Sequence, residues 1–328
     1  MKVLIIKLGA IGDVVHTTVI ATAIKQCFKD AEVHFLTVPS MVPLLKEHPH
    51  IDKVLEWNPA FRKSFKYLLE VAAIGRKEKY DVVFNMTRAL RNILLSYLMF
   101  PKKVIGKRNY GKSWVEEYFL TAKSLFPELQ LPSRLYLSVS EDAKFNIEEL
   151  LAGYPSPYFL LFPTGGSDRT RQGRIWGLES WNILAKELLQ NYGGTIFVSG
   201  SAGEAEYHSS LDVVVVLSGK CSLMETLALM SKSEFVISGD SGPAHMASAL
   251  GVKTIALCGS TSPDKIKPYG DNGFEVSSPN DCRFCWQKKC KYLKNSTDKI
   301  TPCMSAITPS MVISKIKNIE EALDKLKL

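Results

Sequence analysis

The chain has 328 residues, about twice the ~150 residues that a typical domain contains, and its 46% hydrophobic and 23% charged residues exclude a disordered or fibrous protein. Its 41 basic and 33 acidic side chains leave a net charge of +8, which favours anionic partners such as nucleic acid, acidic lipid surfaces or phosphorylated small molecules. Apolar runs such as Val3–Ile6 are too short to span a membrane, and the amino terminus lacks the apolar core of a secretion signal, so we expect a cytoplasmic protein.

Short β-branched runs alternate with amphipathic segments through the first part of the chain, as in a parallel sheet covered by helices. The predicted strands are Lys2–Lys7, Glu32–Thr37, Lys53–Glu56, Asp81–Asn85 and Lys103–Gly106. The segment Phe126–Ser138 contains Pro127 and Pro132 and is interpreted as a linker. These patterns predict a first domain over residues 1–138.

The alternation then restarts, which predicts a second domain over residues 139–328. Its predicted strands are Tyr158–Pro163, Thr195–Ser199, Val213–Leu217, Phe235–Ser238 and Thr254–Cys258, and its predicted helices include Leu178–Gln190 and Ser222–Met230. Apolar residues at intervals of three and four predict a last helix over about residues 310–328, which could pack back on the first domain. The fold class predicted is α/β with two Rossmann-like, doubly wound halves.

The first candidate site is the loop Lys7–Asp13, between the first strand and a helix that we expect to open near Val14. Gly9 and Gly12 allow backbone to approach a ligand, and a helix start favours the anionic form of Asp13, which could then accept a proton. The alternative is that Asp13 only caps the helix. The loop departs from the G-x-G-x-x-G pattern, so a dinucleotide site is weakly supported.

The second candidate site is Ser238–His245, between a strand and a predicted helix through Met246–Leu250. Helix-start amides, the Ser241 hydroxyl and the small Gly242 would form a seat for a phosphate. The alternatives are a capped helix that binds no ligand, and a His245 that is merely packed.

The third candidate site begins at Phe162–Gly166, where a strand ends in a glycine-rich turn. Arg169, Arg171 and Arg174 follow and could clamp a pyrophosphate through charge-assisted hydrogen bonds. A loop of this kind can equally be solvated surface.

In order and spacing, these segments resemble the ADP-heptose:lipopolysaccharide heptosyltransferases of glycosyltransferase family 9. Members open with a strand and K-x-G-x-x-G-D, carry P-G-x-G followed by K-x-W, and contain D-[ST]-G-x-x-H. The matching segments are Lys7–Asp13, Pro163–Gly166 with Arg174–Trp176, and Asp240–His245 followed by Ala256–Thr261. The likeness extends over nearly the whole chain.

The resemblance implies a GT-B fold, with the acceptor bound by the first domain and the nucleotide-sugar donor by the second, across a cleft. It also implies inverting transfer with neither a metal nor another cofactor, and the sequence has no D-x-D motif. Asp13 would be the general base. The donor-binding residues carried over are Thr164, Arg174 in place of the family lysine, Glu204, Cys221, Asp240, Ser241, Gly242 and His245.

On the acceptor side, the resemblance places Gly9 and Gly12 beside the acceptor. Arg88 and Arg91 follow the strand Asp81–Asn85, and the hypothesis is that they bind phosphate or carboxylate groups of the acceptor. Structural salt bridges are the alternative role for these two arginines.

Four cysteines form a late cluster, Cys282-x2-Cys285-x4-Cys290-x12-Cys303. Such a set could hold zinc or iron tetrahedrally, form a redox-sensitive pair or remain as reduced thiols. The sequence leaves these three readings open.

The predicted function is therefore transfer of heptose from ADP-heptose to a lipopolysaccharide inner-core acceptor, with peripheral contact at the inner face of the cytoplasmic membrane and no nucleic-acid partner. The alternatives are a GT-B nucleotide-sugar epimerase, a non-catalytic nucleotide-sugar binding protein, and a relative that modifies a protein.

Overall fold

The computed structural model describes residues 1–164, 174–287, 289–293 and 300–326, with only the backbone of residue 326. The internal contacts divide the chain into two compact units: unit 1, Met1–Ser138, and unit 2, Val139–Leu328. Each unit contains one parallel sheet with helices. No helix among the residues described is long and apolar enough to cross a bilayer.

Unit 1 is built on five parallel strands in the order β3-β2-β1-β4-β5. They are β1 (Lys2–Ile6), β2 (Glu32–Thr37), β3 (Lys53–Glu56), β4 (Val82–Asn85) and β5 (Lys103–Gly106). The central β1 pairs with β2 through Val3 and Val33, and with β4 through Val3 and Val82. Its four apolar residues after Lys2 are fully buried, because helices cover both faces of a parallel sheet.

The helices of unit 1 follow the strands in alternation. They are α1 (Ile11–Cys27), α2 (Val42–Lys46), α3 (Phe65–Glu78), α4 (Leu90–Leu98) and α5 (Trp114–Lys123), with 3-10 turns at Pro39–Met41 and Pro59–Phe61. Helix α5 packs on α1 and begins at a capping box, in which Ser113 and Glu116 satisfy each other's backbone amides. This box fixes the first turn of α5 beside the carboxyl end of β5.

Unit 2 contains six parallel strands in the order β11-β10-β9-β6-β7-β8. They are β6 (Tyr158–Phe162), β7 (Thr195–Val198), β8 (Val215–Val216), β9 (Phe235–Gly239), β10 (Thr254–Cys258) and β11 (Gly273–Ser277). Its helices are α6 (Glu141–Leu151), α7 (Leu178–Tyr192), α8 (Ala205–His208), α9 (Leu223–Lys232), α10 (Gly242–Ala249), α11 (Pro263–Ile266), α12 (Pro302–Ser305) and α13 (Pro309–Leu326), with a 3-10 turn at Ala202–Glu204.

The core of unit 2 lies between the sheet and the last helix. Trp176 and Trp181 are buried there edge to face, with ring centroids 4.9 Å apart. Helix α13 packs on α7 and β11 and buries Val312, Ile316 and Ile319. The predicted stripe of α13 therefore faces the sheet of its own unit, and its packing on the first domain stays a prediction.

The structure corrects several predicted elements. Strand β11 was missed, and β8 is shorter than Val213–Leu217, since Val213 is exposed and has a positive φ of 50°. Helix α1 begins at Ile11 rather than near Val14, and α10 begins at Gly242. Asp13 and Gly242 therefore lie inside first helical turns rather than in the loops before them.

Candidate active site

Strand order locates one candidate ligand-binding position in each unit. In open parallel sheets, ligands bind at the carboxyl ends of strands where the order reverses direction. In unit 1 this position lies between β1 and β4, and in unit 2 between β6 and β9. The segments that follow these four strands hold Asp13, Arg88, Thr164 and Asp240, so the predicted residues lie where the topology expects a ligand.

In unit 1, Asp13 is held by two partners. Its Oδ2 lies 2.9 Å from the Lys7 ammonium, and its Oδ1 accepts a hydrogen bond of 3.3 Å from the Tyr118 hydroxyl. Its side chain is nevertheless 40% exposed. The alternative that Asp13 caps α1 is wrong, because the N-cap is Ala10 and no side chain caps the helix. Asp13 is thus a positioned carboxylate that solvent can reach.

Lys107, which sequence reasoning missed, adds a second cation to this site. Its ammonium lies 4.1 Å from the Trp114 ring centre and 4.5 Å from that of Tyr118, and 3.8 Å from a Glu117 carboxylate oxygen. Burial, reinforced by the Lys7 charge, lowers the pKa of Lys107 to about 8. Lys107 comes directly after β5, at the same sheet edge as Lys7, and this place in the sequence could have identified it as a site residue.

The two arginines predicted to bind the acceptor have different surroundings. Arg88 is exposed, and its charge helps to lower the pKa of Lys107, so it belongs to the same basic region. Arg91 instead donates to the Ser64 carbonyl and lies 5.8 Å from the Trp57 ring centre. The structural partner of Arg91 is therefore the backbone carbonyl of Ser64, and not the acidic side chain that a structural salt bridge would require.

The two glycines of the first motif lie on either side of the start of α1. Gly9 has a φ of +152°, and a Cβ added there would meet no atom within 4 Å, so its backbone borders open space. Gly12 is the second residue of α1. The space at Gly9 would admit a group close to the main chain.

In unit 2, Asp240 is the centre of a buried polar cluster. Only 4% of its side chain is exposed, and its Oδ2 lies 2.7 Å from the Arg174 guanidinium while its Oδ1 lies 3.9 Å from His245 Nε2. Burial raises the pKa of Asp240, but His245, the Arg174 charge and the Thr261 hydroxyl outweigh burial and bring the pKa below its usual value. Asp240 is therefore an internal counter-ion.

The start of α10 follows immediately. Ser241 is its N-cap in extended conformation, but the Ser241 hydroxyl bonds that of Ser238 at 2.7 Å and makes no cap hydrogen bond. Pro243 occupies the first turn, where its missing amide hydrogen costs nothing. Because no side chain caps this turn, its amide dipoles are suited to an anion.

A second polar cluster lies beyond β7. Glu204 is buried and accepts bonds of 2.7 Å from both the amide and the hydroxyl of Ser201. Thr164 contacts His208, another residue that sequence reasoning missed, at 3.2 Å. Burial raises the pKa of Glu204, but the bonds from Ser201 and Thr164 bring it below the ordinary value.

The remaining donor-side predictions are Cys221 and the basic turn after β6. Cys221 directly precedes Ser222, the N-cap of α9, and burial followed by the Glu225 charge raises the pKa of its thiol. The predicted basic turn with Gly165, Gly166, Arg169 and Arg171 lies outside the described residues.

Comparison with the profiles of known protein families identifies the family of this chain. The profile of glycosyltransferase family 9 (heptosyltransferase) matches residues 105–295, more than half of the chain. The chain belongs to glycosyltransferase family 9. The resemblance carried by the three motifs is confirmed, and the protein is a glycosyltransferase.

Similar proteins extend over the full length. A lipopolysaccharide heptosyltransferase 1 from Campylobacter coli is 23% identical, over 97% of this chain and 99% of that protein. The crystal structure of a family 9 glycosyltransferase from Veillonella parvula superposes with a TM-score of 0.82 at 18% identity, covering 97% of this chain and 96% of the other. For E. coli ADP-heptose lps heptosyltransferase II the TM-score is 0.77 at 19% identity, covering 98% and 100%. The predicted GT-B fold class is confirmed.

One further polar cluster in unit 1 resembles a metal site only in its spacing. Among the residues described, Glu32, His34 and Glu78 have ligand atoms within 4.8 Å of one another. Glu78 is already bonded to Lys2 at 2.7 Å and to Lys53 at 2.6 Å, and these bonds lower its pKa to about 2. The cluster is therefore an ion-pair network in which Lys2 and Lys53 hold the Glu78 carboxylate.

Proposed function

We propose that this protein transfers heptose from ADP-heptose to an acceptor in the lipopolysaccharide inner core, with inversion and without a metal in the reaction. The observation that carries the proposal is Asp13, an accessible carboxylate fixed by Lys7 and Tyr118 at the switch point of unit 1. Family membership supports sugar transfer, and the names of the relatives support the donor and the acceptor.

In the proposed reaction, Asp13 acts as the general base. The carboxylate takes the proton of an acceptor hydroxyl while that oxygen attacks the anomeric carbon of the sugar. The bond from this carbon to the diphosphate breaks in the same displacement, and the electron pair leaves with the nucleotide. One base is sufficient for an inverting displacement.

The leaving diphosphate gathers negative charge, which preorganised donors must stabilise. We assign this task to the first turn of α10, at Ser241 and Gly242. Arg174 was expected to supply a cation, but its guanidinium is already paired with Asp240. In our proposal Arg174 and His245 therefore act mainly by holding Asp240, while the backbone at α10 receives the diphosphate. Thr164 is assigned to the phosphates of the donor, and Glu204 and Cys221 to the nucleoside side of the donor pocket.

On the acceptor side, the basic region of Lys7, Lys107 and Arg88 supports an anionic substrate. Carboxylate or phosphate groups on the acceptor would be drawn to these cations. In our proposal, Gly9 and Gly12 border the acceptor, whereas Arg91 supports the fold through Ser64.

We further propose that unit 1 visits the inner, cytoplasmic face of the membrane. Large apolar side chains are exposed on and around α3 and α4: Phe61, Phe65, Leu69, Ile74, Leu90, Ile93, Leu94, Tyr97 and Phe100. Exposed cations accompany them at Arg62, Lys63 and Lys66. An apolar face with flanking positive charge is suited to anionic lipid, which is also where a lipid-linked acceptor would be found.

Two linked measurements test the function. Thermal unfolding should shift upward with ADP-heptose and less with UDP-sugars, because a ligand of the native state stabilises it in proportion to occupancy. Purified protein should then move heptose to an inner-core acceptor glycan. Conversion of the nucleotide sugar without an acceptor would identify an epimerase, transfer to a polypeptide would identify a protein-modifying relative, and binding without turnover would identify a non-catalytic protein. Each of these outcomes would overturn the proposal.

A further inference from the structure

His208 is a buried histidine that belongs to none of the sequence motifs and has no role in the reaction proposed above. It is the last residue of α8, the short helix after β7, and it is 0% exposed. Because no part of the ring reaches solvent, His208 does not touch a substrate in this arrangement. Any role in the site is therefore exerted through its neighbours.

Each ring nitrogen of His208 has a hydroxyl partner. Nδ1 lies 2.6 Å from Ser218 Oγ, and Nε2 lies 3.2 Å from Thr164 Oγ1. Thr164 follows β6 and Ser218 follows β8, and these two strands flank β7 in the sheet. The ring thus connects the carboxyl ends of three adjacent strands, at the edge where open parallel sheets bind ligands.

Glu204 lies on the same side of this helical segment as His208. The two residues are four positions apart, which is about one helical turn. A Cβ added at Gly200 would lie 2.8 Å from His208 Cε1 and 2.9 Å from Glu204 Oε2, closer than real Cβ atoms come. Glycine at position 200 therefore allows both side chains to pack directly on the backbone that follows β7.

The charge of Glu204 determines the direction of these hydrogen bonds. Burial raises the pKa of Glu204, but the bonds from Ser201 and Thr164 outweigh burial, so Glu204 is a carboxylate to which the Thr164 hydroxyl donates. A threonine hydroxyl has one proton, so Thr164 accepts its bond from His208. His208 Nε2 therefore carries a hydrogen. In a neutral ring, Nδ1 is then the acceptor for the Ser218 hydroxyl.

This direction matters for anions near Thr164. A Thr164 hydroxyl that accepts from His208 keeps its own proton for a carboxylate or a phosphate oxygen. With the hydrogen on Nδ1 instead, the Thr164 proton would be bound to the ring, and only oxygen lone pairs would face an anion. The position of one ring hydrogen thus decides whether Thr164 attracts or repels an anionic group.

We propose that His208 is a positioning residue of the donor pocket, in which its Nε2–H holds the Thr164 hydroxyl as a donor toward anions. The inference rests on the proposed function, in which Thr164 meets the phosphates of the donor and Glu204 its nucleoside. His208 thereby aligns two sides of the pocket without touching the donor. This role is separate from the proton transfer at Asp13.

Nuclear magnetic resonance of the wild-type chain tests the position of the hydrogen directly. Long-range ¹H–¹⁵N spectra of protein with ¹⁵N-labelled histidine distinguish protonated from unprotonated ring nitrogens, and His208→Gln identifies the His208 signals by their loss. We expect Nε2 of His208 to be protonated in the protein without nucleotide. An unprotonated Nε2, with the hydrogen on Nδ1, would overturn the proposal.

Binding of ADP, measured by isothermal titration calorimetry, tests the effect on the pocket. His208→Leu removes both ring nitrogens and should weaken ADP binding about tenfold, the size of one hydrogen bond. His208→Gln keeps an amide donor at about the reach of Nε2 and should stay within about threefold of wild type. The matched control His48→Leu, at a buried histidine of unit 1, should not change the affinity. Equal losses in the leucine and glutamine variants, or no loss in either, would contradict the proposal.

A double-variant cycle separates positioning from a general loss of structure. Thr164→Val removes the hydroxyl through which His208 acts, so adding His208→Leu should weaken ADP binding little further. Losses that multiply would show that His208 acts by another route and would refute the proposal. A wild-type protein that binds no ADP would count against the proposed function, whereas the position of the ring hydrogen would still decide the claim for His208.

Discussion

Asp13 in unit 1 and Asp240 in unit 2 each follow one of the two strands that border the switch point of their sheet, yet they differ in exposure. Each follows a central strand at the point where strand order reverses. The Asp13 side chain is 40% exposed and is held by a lysine and a phenol, whereas Asp240 is 4% exposed and paired with Arg174. Position in a fold therefore does not assign a role to a carboxylate. Burial and partners decide whether it is available to a substrate or serves as an internal counter-ion.

The sharpest test of this contrast is Asp13→Asn. The amide keeps the shape but has no charge with which to take a proton, so turnover should fall by roughly 10²–10⁴-fold while donor affinity stays nearly unchanged. Steady-state kinetics and donor titration measure the two quantities. Turnover that remains within about threefold of wild type would remove Asp13 from the role of general base.

Breaking the buried pair should chiefly affect stability. Arg174→Met removes the nearest cation from Asp240 and leaves only His245 and the Thr261 hydroxyl to stabilise the buried charge, at a cost of about 3 kcal/mol in the free energy of unfolding. Lys7→Met, which breaks the more exposed pair with Asp13, should cost less than about 1 kcal/mol. Denaturant unfolding measures both. Equal losses would mean that the two carboxylates do not differ as described.

A second variant completes the cycle for the buried pair. Adding Asp240→Asn to Arg174→Met removes the stranded charge and should recover part of the lost stability. A double variant less stable than Arg174→Met alone would show that the charge of Asp240 is not the cause.

The apolar face of unit 1 can be compared with a single exposed aromatic residue of unit 2. Leu90 and Phe100 are 83% and 72% exposed, and replacing both with Ser should weaken binding to anionic vesicles about tenfold, since each loses an apolar contact. Phe145→Ser on α6, at a residue 61% exposed, is the matched control and should have no effect. Vesicle co-sedimentation reports the difference. Equal binding by all three proteins would refute this membrane face.

The smallest expected effect is a pH dependence at Lys107. Its pKa of about 8 means that the ammonium is charged below pH 8 and neutral above, so attraction for an anionic acceptor should weaken as pH rises through 8. The KM for the acceptor should rise about fivefold across this range, the size of one modest ion pair. In Lys107→Arg, which stays charged, the KM should remain flat. A wild-type profile without this rise would exclude Lys107 from acceptor binding.

Much of the fold was predictable because its strands are continuous apolar runs, as in β1 and β9, and such runs are typical of parallel strands covered on both faces. Strand β11 was missed because Gly273 and Glu275 interrupt its apolar pattern. The span of β8 was overestimated because all of its valines favour strands, whereas the backbone at Val213 turns away.

The candidate site was predictable where a motif follows a strand, as for Asp13, Asp240 and Ser241. Its partners were not, because Tyr118 lies 105 residues from Asp13 and only the fold brings them together. The pairing of Arg174 with Asp240 could not be read from the sequence for the same reason. A sequence shows a cation, but the carboxylate that neutralises it comes from a strand far along the chain.

The contacts of Asp13 make its two oxygens chemically unequal. Oδ2 is engaged by a charged neighbour at 2.9 Å, while Oδ1 has one neutral partner at the longer distance of 3.3 Å. Each carboxylate oxygen has two lone pairs, so Oδ1 keeps the more weakly engaged electron density. An incoming hydroxyl would thus meet Oδ1 as the more reactive oxygen of the carboxylate. Molecules that mimic the reaction could be designed to bond to this oxygen alone.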